Sequence, residues 1–177
     1  MQIKPDLLSP ASKKAQIEEM FDAISPKYDF LNRALSLGID RIWRKKAIES
    51  LREIQPKLIL DVATGTGDLA IEALKLNPER VTGIDISEGM LSKGRVKLQN
   101  AGITNIELIK GDSEKIAYGD NTFDAVTVAF GVRNFENLTE GLKEMNRVMR
   151  PGGKIAILEF SKPTVFPVKQ FYNFYFK

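Results

Sequence analysis

Neither cysteine nor histidine occurs among the 177 residues. Without cysteine, disulfides, thiolate metal sites and thiol nucleophiles are excluded. Without histidine the chain lacks the commonest general base and the commonest transition-metal ligand, and no metal site is expected. Proton transfer falls to Asp, Glu, Lys, Tyr, an ionised substrate or water. No stretch is long and apolar enough to span a bilayer, and MQIKPDLLSPASKK has no apolar signal core, so a cytoplasmic protein is expected. The net charge is only +3 and the basic residues are scattered. Arg41–Lys46 and Lys13–Lys14 read as solvated helix faces, and no nucleic-acid binding is expected. What is present, 43% hydrophobic and 28% charged residues, suits one soluble domain with a sizeable core.

The first 55 or so residues read as helices. Ile17, Phe21 and Ile24 share one face; Trp43, Ala47, Leu51 and Ile54 share another, with Trp43 read as core. From Lys57 the pattern alternates. Strands are expected at Leu58–Val62, Arg80–Ile84, Ile106–Lys110, Ala125–Ala129 and Lys154–Phe160. Helices are expected at 67–76, 87–101 and 137–149. The last has Asn137 as cap, Leu138, Leu142, Met145 and Met149 as buried stripe, and Pro151-Gly152-Gly153 as its end. This order predicts an α/β fold: a doubly wound, mostly parallel Rossmann-like sheet. Residues 1–55 are expected to form a helical cap and 56–177 the cofactor-binding domain; a doubly wound sheet of the usual size would lack its far edge after the fifth strand, so either the domain is small or the chain is a fragment.

Residues Leu58–Gly67 read LILDVATGTG, a strand ending in an aspartate and then a tight glycine turn. Gly65 and Gly67 let bare backbone meet a ligand where a Cβ would collide. The turn opens a helix, so free N–H groups face that ligand. Eighteen residues beyond Gly67, Asp85 ends the next strand, where a ribose-binding carboxylate belongs. Asp112 and Ser113 end the third strand. Three such features at one sheet edge specify a nucleoside cofactor. GTGDLA also satisfies a dinucleotide fingerprint through Gly65, Gly67 and Ala70. However, Asp61 and Asp68 flank the path of a pyrophosphate and would repel it by on the order of 1 kcal/mol per pair. The same acids welcome a sulfonium and an ammonium, so S-adenosylmethionine is expected rather than NAD.

With these segments in view, the chain resembles the class I S-adenosylmethionine-dependent methyltransferases. More narrowly, it resembles the C-methyltransferases of menaquinone and ubiquinone biosynthesis (UbiE/MenG type). The resemblance is carried by YDFLNRALSLGIDRIWRK (Tyr28–Lys45), LDVATGTGDLA (Leu60–Ala70), GIDISEGML (Gly83–Leu91), FGVRN (Phe130–Asn134) and EMNRVMRPGGKIAILEFSKP (Glu144–Pro163). It runs from about residue 13 to the C-terminus. Two features depart from the family: Asp40 stands where a histidine is usual, and family members continue with further strands. The resemblance implies that Thr66, Asp85, Asp112 and Ser113 hold the cofactor, with Gly65 and Gly67 permitting its approach. Asp61 would reach the methionyl ammonium through water. Met90 is either an apolar contact to adenine or core of its helix.

The implied reaction adds a methyl group to a ring carbon of a demethylated polyprenyl quinol, a demethylmenaquinol or a polyprenyl methoxy-benzoquinol. Arg133, after the fourth strand, would favour the phenolate; the alternative is an ion pair with Glu136 or Glu159. Asn134 would hydrogen-bond the other ring oxygen. Tyr28 and Asp29 would close the site, Asp29 as a proton acceptor; otherwise they are a packed aromatic and a helix cap. The aromatics between Phe166 and Phe176 suit a prenyl tail, a membrane surface or simple packing. The substrate implies peripheral contact at the inner face of the membrane. Competing readings are methylation of another small lipid or aromatic acceptor, an NAD-dependent oxidoreductase, and a non-catalytic S-adenosylmethionine-binding subunit of a quinone-making assembly.

Overall fold

Leu58–Val62 is an apolar run of strand length, and it forms β1 at the centre of a five-stranded sheet. A computed structural model describes residues 11–28, 36 and 38–159. Beside β1 lie β2 (Arg80–Asp85), β3 (Ile106–Lys110), β4 (Phe123–Ala129) and β5 (Met149–Leu158). Their order is β3-β2-β1-β4-β5, and every neighbouring pair is parallel. The helices are α1 (Lys13–Ile24), α2 (Ile39–Glu49), α3 (Asp68–Ala73), α4 (Glu88–Asn100) and α5 (Leu138–Val148). Strand side chains alternate between two cores. Ile59, Val81 and Ala125 pack with residues of α2, α3 and α4, whereas Leu60, Val126 and Val128 pack with Met145 and Val148 of α5. Cover on both faces explains why these strands read as unbroken apolar runs.

Three local expectations are corrected. The helix after the glycine turn is α-helical only over Asp68–Ala73, then tightens into a 3₁₀ turn closed by Asn77 in the left-handed region. In α5, Asn137 does cap, its Oδ1 accepting from the Glu140 N–H at 3.3 Å. Its buried positions, however, are Gly141, Met145 and Val148, while Leu138 is exposed. The chain is already extended at Met149, which pairs with Phe123, and a register shift before Ala125 takes up the Pro-Gly-Gly segment. In α2 the buried face carries Asp40, Arg44 and Ile48, followed by Leu51, and Trp43 is only half-buried. Asp29, Phe160 and the aromatic segment 166–176 lie outside the described residues.

Candidate cofactor and acceptor cleft

Between β1 and β4 the strand order reverses, and the crevice at their carboxyl ends is where ligands bind in open α/β sheets. At this edge two non-glycine residues, Ala63 after β1 and Phe130 after β4, take positive φ (52° and 58°). Such conformations cost of order 1–3 kcal/mol each and gather at functional sites. A cleft opens here with about 670 Å³ of empty space, its mouth included, which suits a nucleoside-sized ligand. Helix α1 contributes Lys14, Ile17 and Phe21 to its wall, and Tyr28 follows from the turn after it.

The glycine turn is held by backbone: the Gly67 N–H donates to the Thr64 carbonyl at 2.9 Å, and the Thr64 N–H to that of Ile84 at 3.0 Å. Gly65 lines the cleft at φ 57°, and an added Cβ would lie 3.8 Å from Tyr28 Cε1. Gly67 plays a different part from the one expected. At φ 81° it starts α3 in the left-handed region that disfavours any Cβ, while an added Cβ would make only ordinary contact with Leu108 (3.4 Å), so backbone conformation accounts for the residue. Asp85 lines the cleft as well. Its Oδ2 accepts from the Gly65 N–H at 2.8 Å and its Oδ1 from the Ser87 N–H at 2.9 Å. With one such bond on each oxygen, acceptor capacity remains for a ligand hydroxyl. Burial pushes this carboxyl up, the N–H groups of Ser87, Gly65 and Ile86 pull it back, and Asp22 adds to the rise.

Asp112 and Ser113 line the far end of the cleft, and Met90 is at once wall and fully buried core. Asp112 is already engaged by a residue the sequence did not single out: the Lys14 ammonium sits 2.7 Å from its Oδ2. Burial lowers the Lys14 pKa, but its hydrogen bond to Asp112 and the charges of Asp112 and Glu114 raise it by more. Thr66 is buried outside the main cleft, and its Oγ1 receives a hydrogen bond from Lys97 at 3.0 Å.

Asp61 is fully buried beneath the turn, accepting from Thr64 Oγ1 at 2.6 Å and Thr127 Oγ1 at 2.7 Å. Burial pushes its carboxyl up to about 6, against those two hydrogen bonds and the attraction of Arg44. Arg44 itself lies between Asp40 (2.6 Å) and Asp68 (3.2 Å). Asp40, in the place of the family's usual histidine, thus has a partner for its charge, and its Oδ1 also accepts from Ser36 at 2.6 Å. Asp68 is matched by Arg44 and by Lys97 at 2.7 Å. Its charge is spoken for, so the bias against a pyrophosphate rests on Asp61 and Asp85.

Asn134 also lines the cleft, and its Oδ1 is buried with no hydrogen-bond partner among the described residues. Arg133 is not among the lining residues; its guanidinium is held by Glu159, the second of the two arrangements the sequence offered. Tyr28 lines the cleft, edge-on to Phe21 at 6.1 Å. The structure therefore brings Gly65, Asp85, Met90, Asp112, Ser113, Asn134 and Tyr28 together and leaves Gly67, Thr66 and Arg133 outside the main cleft. The fit to a sulfonium nucleoside is carried by Asp85, with spare acceptor capacity beside the bare backbone of Gly65, and by the buried carboxylate of Asp61.

Comparison with known proteins agrees with this geometry. The sequence model of the ubiE/COQ5 methyltransferase family matches residues 10–177. The demethylmenaquinone methyltransferase of Bacteroides fragilis is 51% identical over 177 residues, which are 99% of this chain and 72% of that protein. The ubiquinone/menaquinone biosynthesis C-methyltransferase UbiE of Geotalea daltonii is 47% identical over 169 residues, 93% of this chain and 71% of that protein. Among solved structures, a SAM-dependent methyltransferase from Aquifex aeolicus has a TM-score of 0.59 at 28% identity, covering 68% of this chain and 66% of that one. The chain belongs to the ubiE/COQ5 methyltransferase family, with S-adenosylmethionine as its cofactor.

Proposed function

We propose that the protein methylates a ring carbon of a demethylated polyprenyl quinol, with a demethylmenaquinol as the first acceptor to test. The observation that carries this reading is Asn134, whose buried Oδ1 has no partner among the described residues, in a cleft that Phe21, Phe130 and Phe135 also line. A quinol suits such a cleft: a flat apolar ring with a hydroxyl donor. S-adenosylmethionine, when bound, supplies an electrophilic methyl group on a sulfonium. The chain's residues do the rest. Asp85, Gly65, Asp112 and Ser113 hold the nucleoside, Met90 packs against its base, and Asp61 faces its amino group.

Asn134 accepts from one quinol hydroxyl and fixes the ring. The other hydroxyl, with an ordinary pKa of about 10, must ionise to make its neighbouring carbon nucleophilic. Arg133 favours that phenolate, though Glu159 cancels much of its field, and Asn134 contributes by holding the ring in place. The apolar part of the lining, Phe21, Phe130 and Phe135 among it, disfavours water, and alignment of the reacting atoms can supply up to roughly 7–11 kcal/mol in favourable cases. Tyr28, with Asp29 beyond it in the chain, is assigned to closing the acceptor side. Residues 1–55 then act as the cap and 56–177 as the cofactor-binding domain.

A polyprenyl acceptor resides in a bilayer, and we place peripheral contact on the outer face of α2. Ile39 and Ile42 are 43% and 55% exposed there, with Arg41, Lys45 and Lys46 exposed beside them. No helix among the described residues is long and apolar enough to cross a membrane. The test is incubation with methyl-labelled S-adenosylmethionine and a demethylmenaquinol in detergent. Label in a ring methyl is expected. Tight S-adenosylhomocysteine binding with no transfer to naphthoquinol or benzoquinol would favour a non-catalytic subunit instead.

A further inference from the structure

We propose that Arg44 binds the carboxylate of the cofactor's methionyl end, in a side chamber where Asp61 faces the neighbouring ammonium. The chamber adjoins the cleft, for Tyr28, Ala63, Ala129 and Phe130 wall both spaces. It holds about 350 Å³ of empty space, its opening included. Beyond the shared wall and Leu69 its lining is polar: Arg44, Asp61, Thr64, Thr66 and Asp68. A polar recess beside a nucleoside cleft asks for a polar end to the nucleoside.

The charges define which end. Arg44 makes both of its ion pairs through Nη1, to Asp40 and Asp68. Its Nε and Nη2 have no partner among the described residues, which leaves three of the five guanidinium N–H groups unspent on a side chain only 10% exposed. Asp40 and Asp68 are balanced by Arg44 and Lys97, so Asp61 carries the chamber's surplus negative charge. Arg44 is close enough to Asp61 for its charge to act on that carboxyl. An α-amino carboxylate satisfies both demands with two groups on one carbon. Its ammonium meets Asp61, and its carboxylate takes the unspent fork, a geometry that guanidinium serves better than a lysine. Asp40 holds Arg44 in place at 2.6 Å and is a positioning residue.

The inference rests on the S-adenosylmethionine assignment, and the ligands of the test are chosen to separate the two. Calorimetric titration of the full chain uses S-adenosylhomocysteine and 5′-methylthioadenosine, which shares the nucleoside but lacks the amino-acid end. Arg44→Gln is expected to weaken S-adenosylhomocysteine about 10–100-fold, as for loss of charge-assisted hydrogen bonds, and to leave methylthioadenosine within about twofold. Arg44→Lys should recover part of the loss. Equal weakening of both ligands would mean that Arg44 only braces the fold, and unchanged S-adenosylhomocysteine binding would remove it from the site; either result overturns the inference. Should Arg44→Gln not fold, the unaltered protein decides: decarboxylated S-adenosylhomocysteine is expected to bind at least about tenfold more weakly than the parent, and equal affinity overturns the inference. Failure of both nucleosides to bind the unaltered protein overturns the cofactor assignment as well.

Discussion

Asp61, which we assign to the cofactor's amino group, costs the fold stability. Its folded carboxyl sits at about 6, above the ordinary value of 3.8, because burial disfavours the ionised form. The folded state therefore holds its proton more tightly, and stability falls as pH rises from about 4 to about 6. Above that window the cost is fully present, on the order of 3 kcal/mol at most. Asp61→Asn removes it and can still exchange hydrogen bonds with Thr64 and Thr127. Thermal denaturation at pH 7.5 should show the variant at least as stable as the parent, with weaker S-adenosylhomocysteine binding; a large loss of stability would mean the carboxylate is a structural anchor. Asn134→Ala should lower kcat about tenfold with cofactor affinity retained, the effect of one lost hydrogen bond that holds the ring in place. Arg133→Ala should cost less, since its charge is already paired with Glu159. Steady-state kinetics of both variants check the order, and the reverse order would give Arg133 the larger part.

Helix α1 is the element that closes the cleft, and it is pinned to the rim at several points. Lys14 reaches Asp112, the Lys13 ammonium donates to the Phe135 carbonyl at 2.6 Å, and Glu18 pairs with Lys110 at 2.6 Å. The Asp22 carboxylate accepts from Ser87 Oγ at 2.5 Å and the Gly89 N–H at 2.9 Å. Partly exposed ion pairs of this kind are worth about 0–1 kcal/mol each. Amides of α1 should therefore exchange hydrogen faster than those of β1 and β4 and become protected when S-adenosylhomocysteine binds. Exchange in α1 that ignores the ligand would contradict its place in the cleft wall. None of these pins was legible beforehand, because the partners are far apart in sequence, 98 residues for Lys14 and Asp112. Helix α2 was misread for a related reason. Asp40 and Arg44 occupy buried positions, so a search for apolar periodicity turns toward Trp43 instead.

Across the whole molecule, the sheet and its ligand edge were legible because both rest on local rules. A fully covered parallel strand must be apolar, and a chain leaving β1 must turn at once, which Gly65 and Gly67 record. Asp85 was legible because β2 ends beside that turn. What lay hidden was the neutralisation of Asp68 and the Arg44 chamber, both products of tertiary pairing, whereas the Arg133–Glu159 pair stood among the alternatives the sequence offered. The account depends most on Asp85 holding the ribose of a sulfonium nucleoside. The measurement that tests this most directly is calorimetric titration of S-adenosylhomocysteine and NADH into the protein and its Asp85→Ala variant at pH 7.5. Binding of S-adenosylhomocysteine alone, weakened at least about tenfold by the substitution, is predicted. Binding of NADH, or a variant that holds S-adenosylhomocysteine as tightly as its parent, would contradict it.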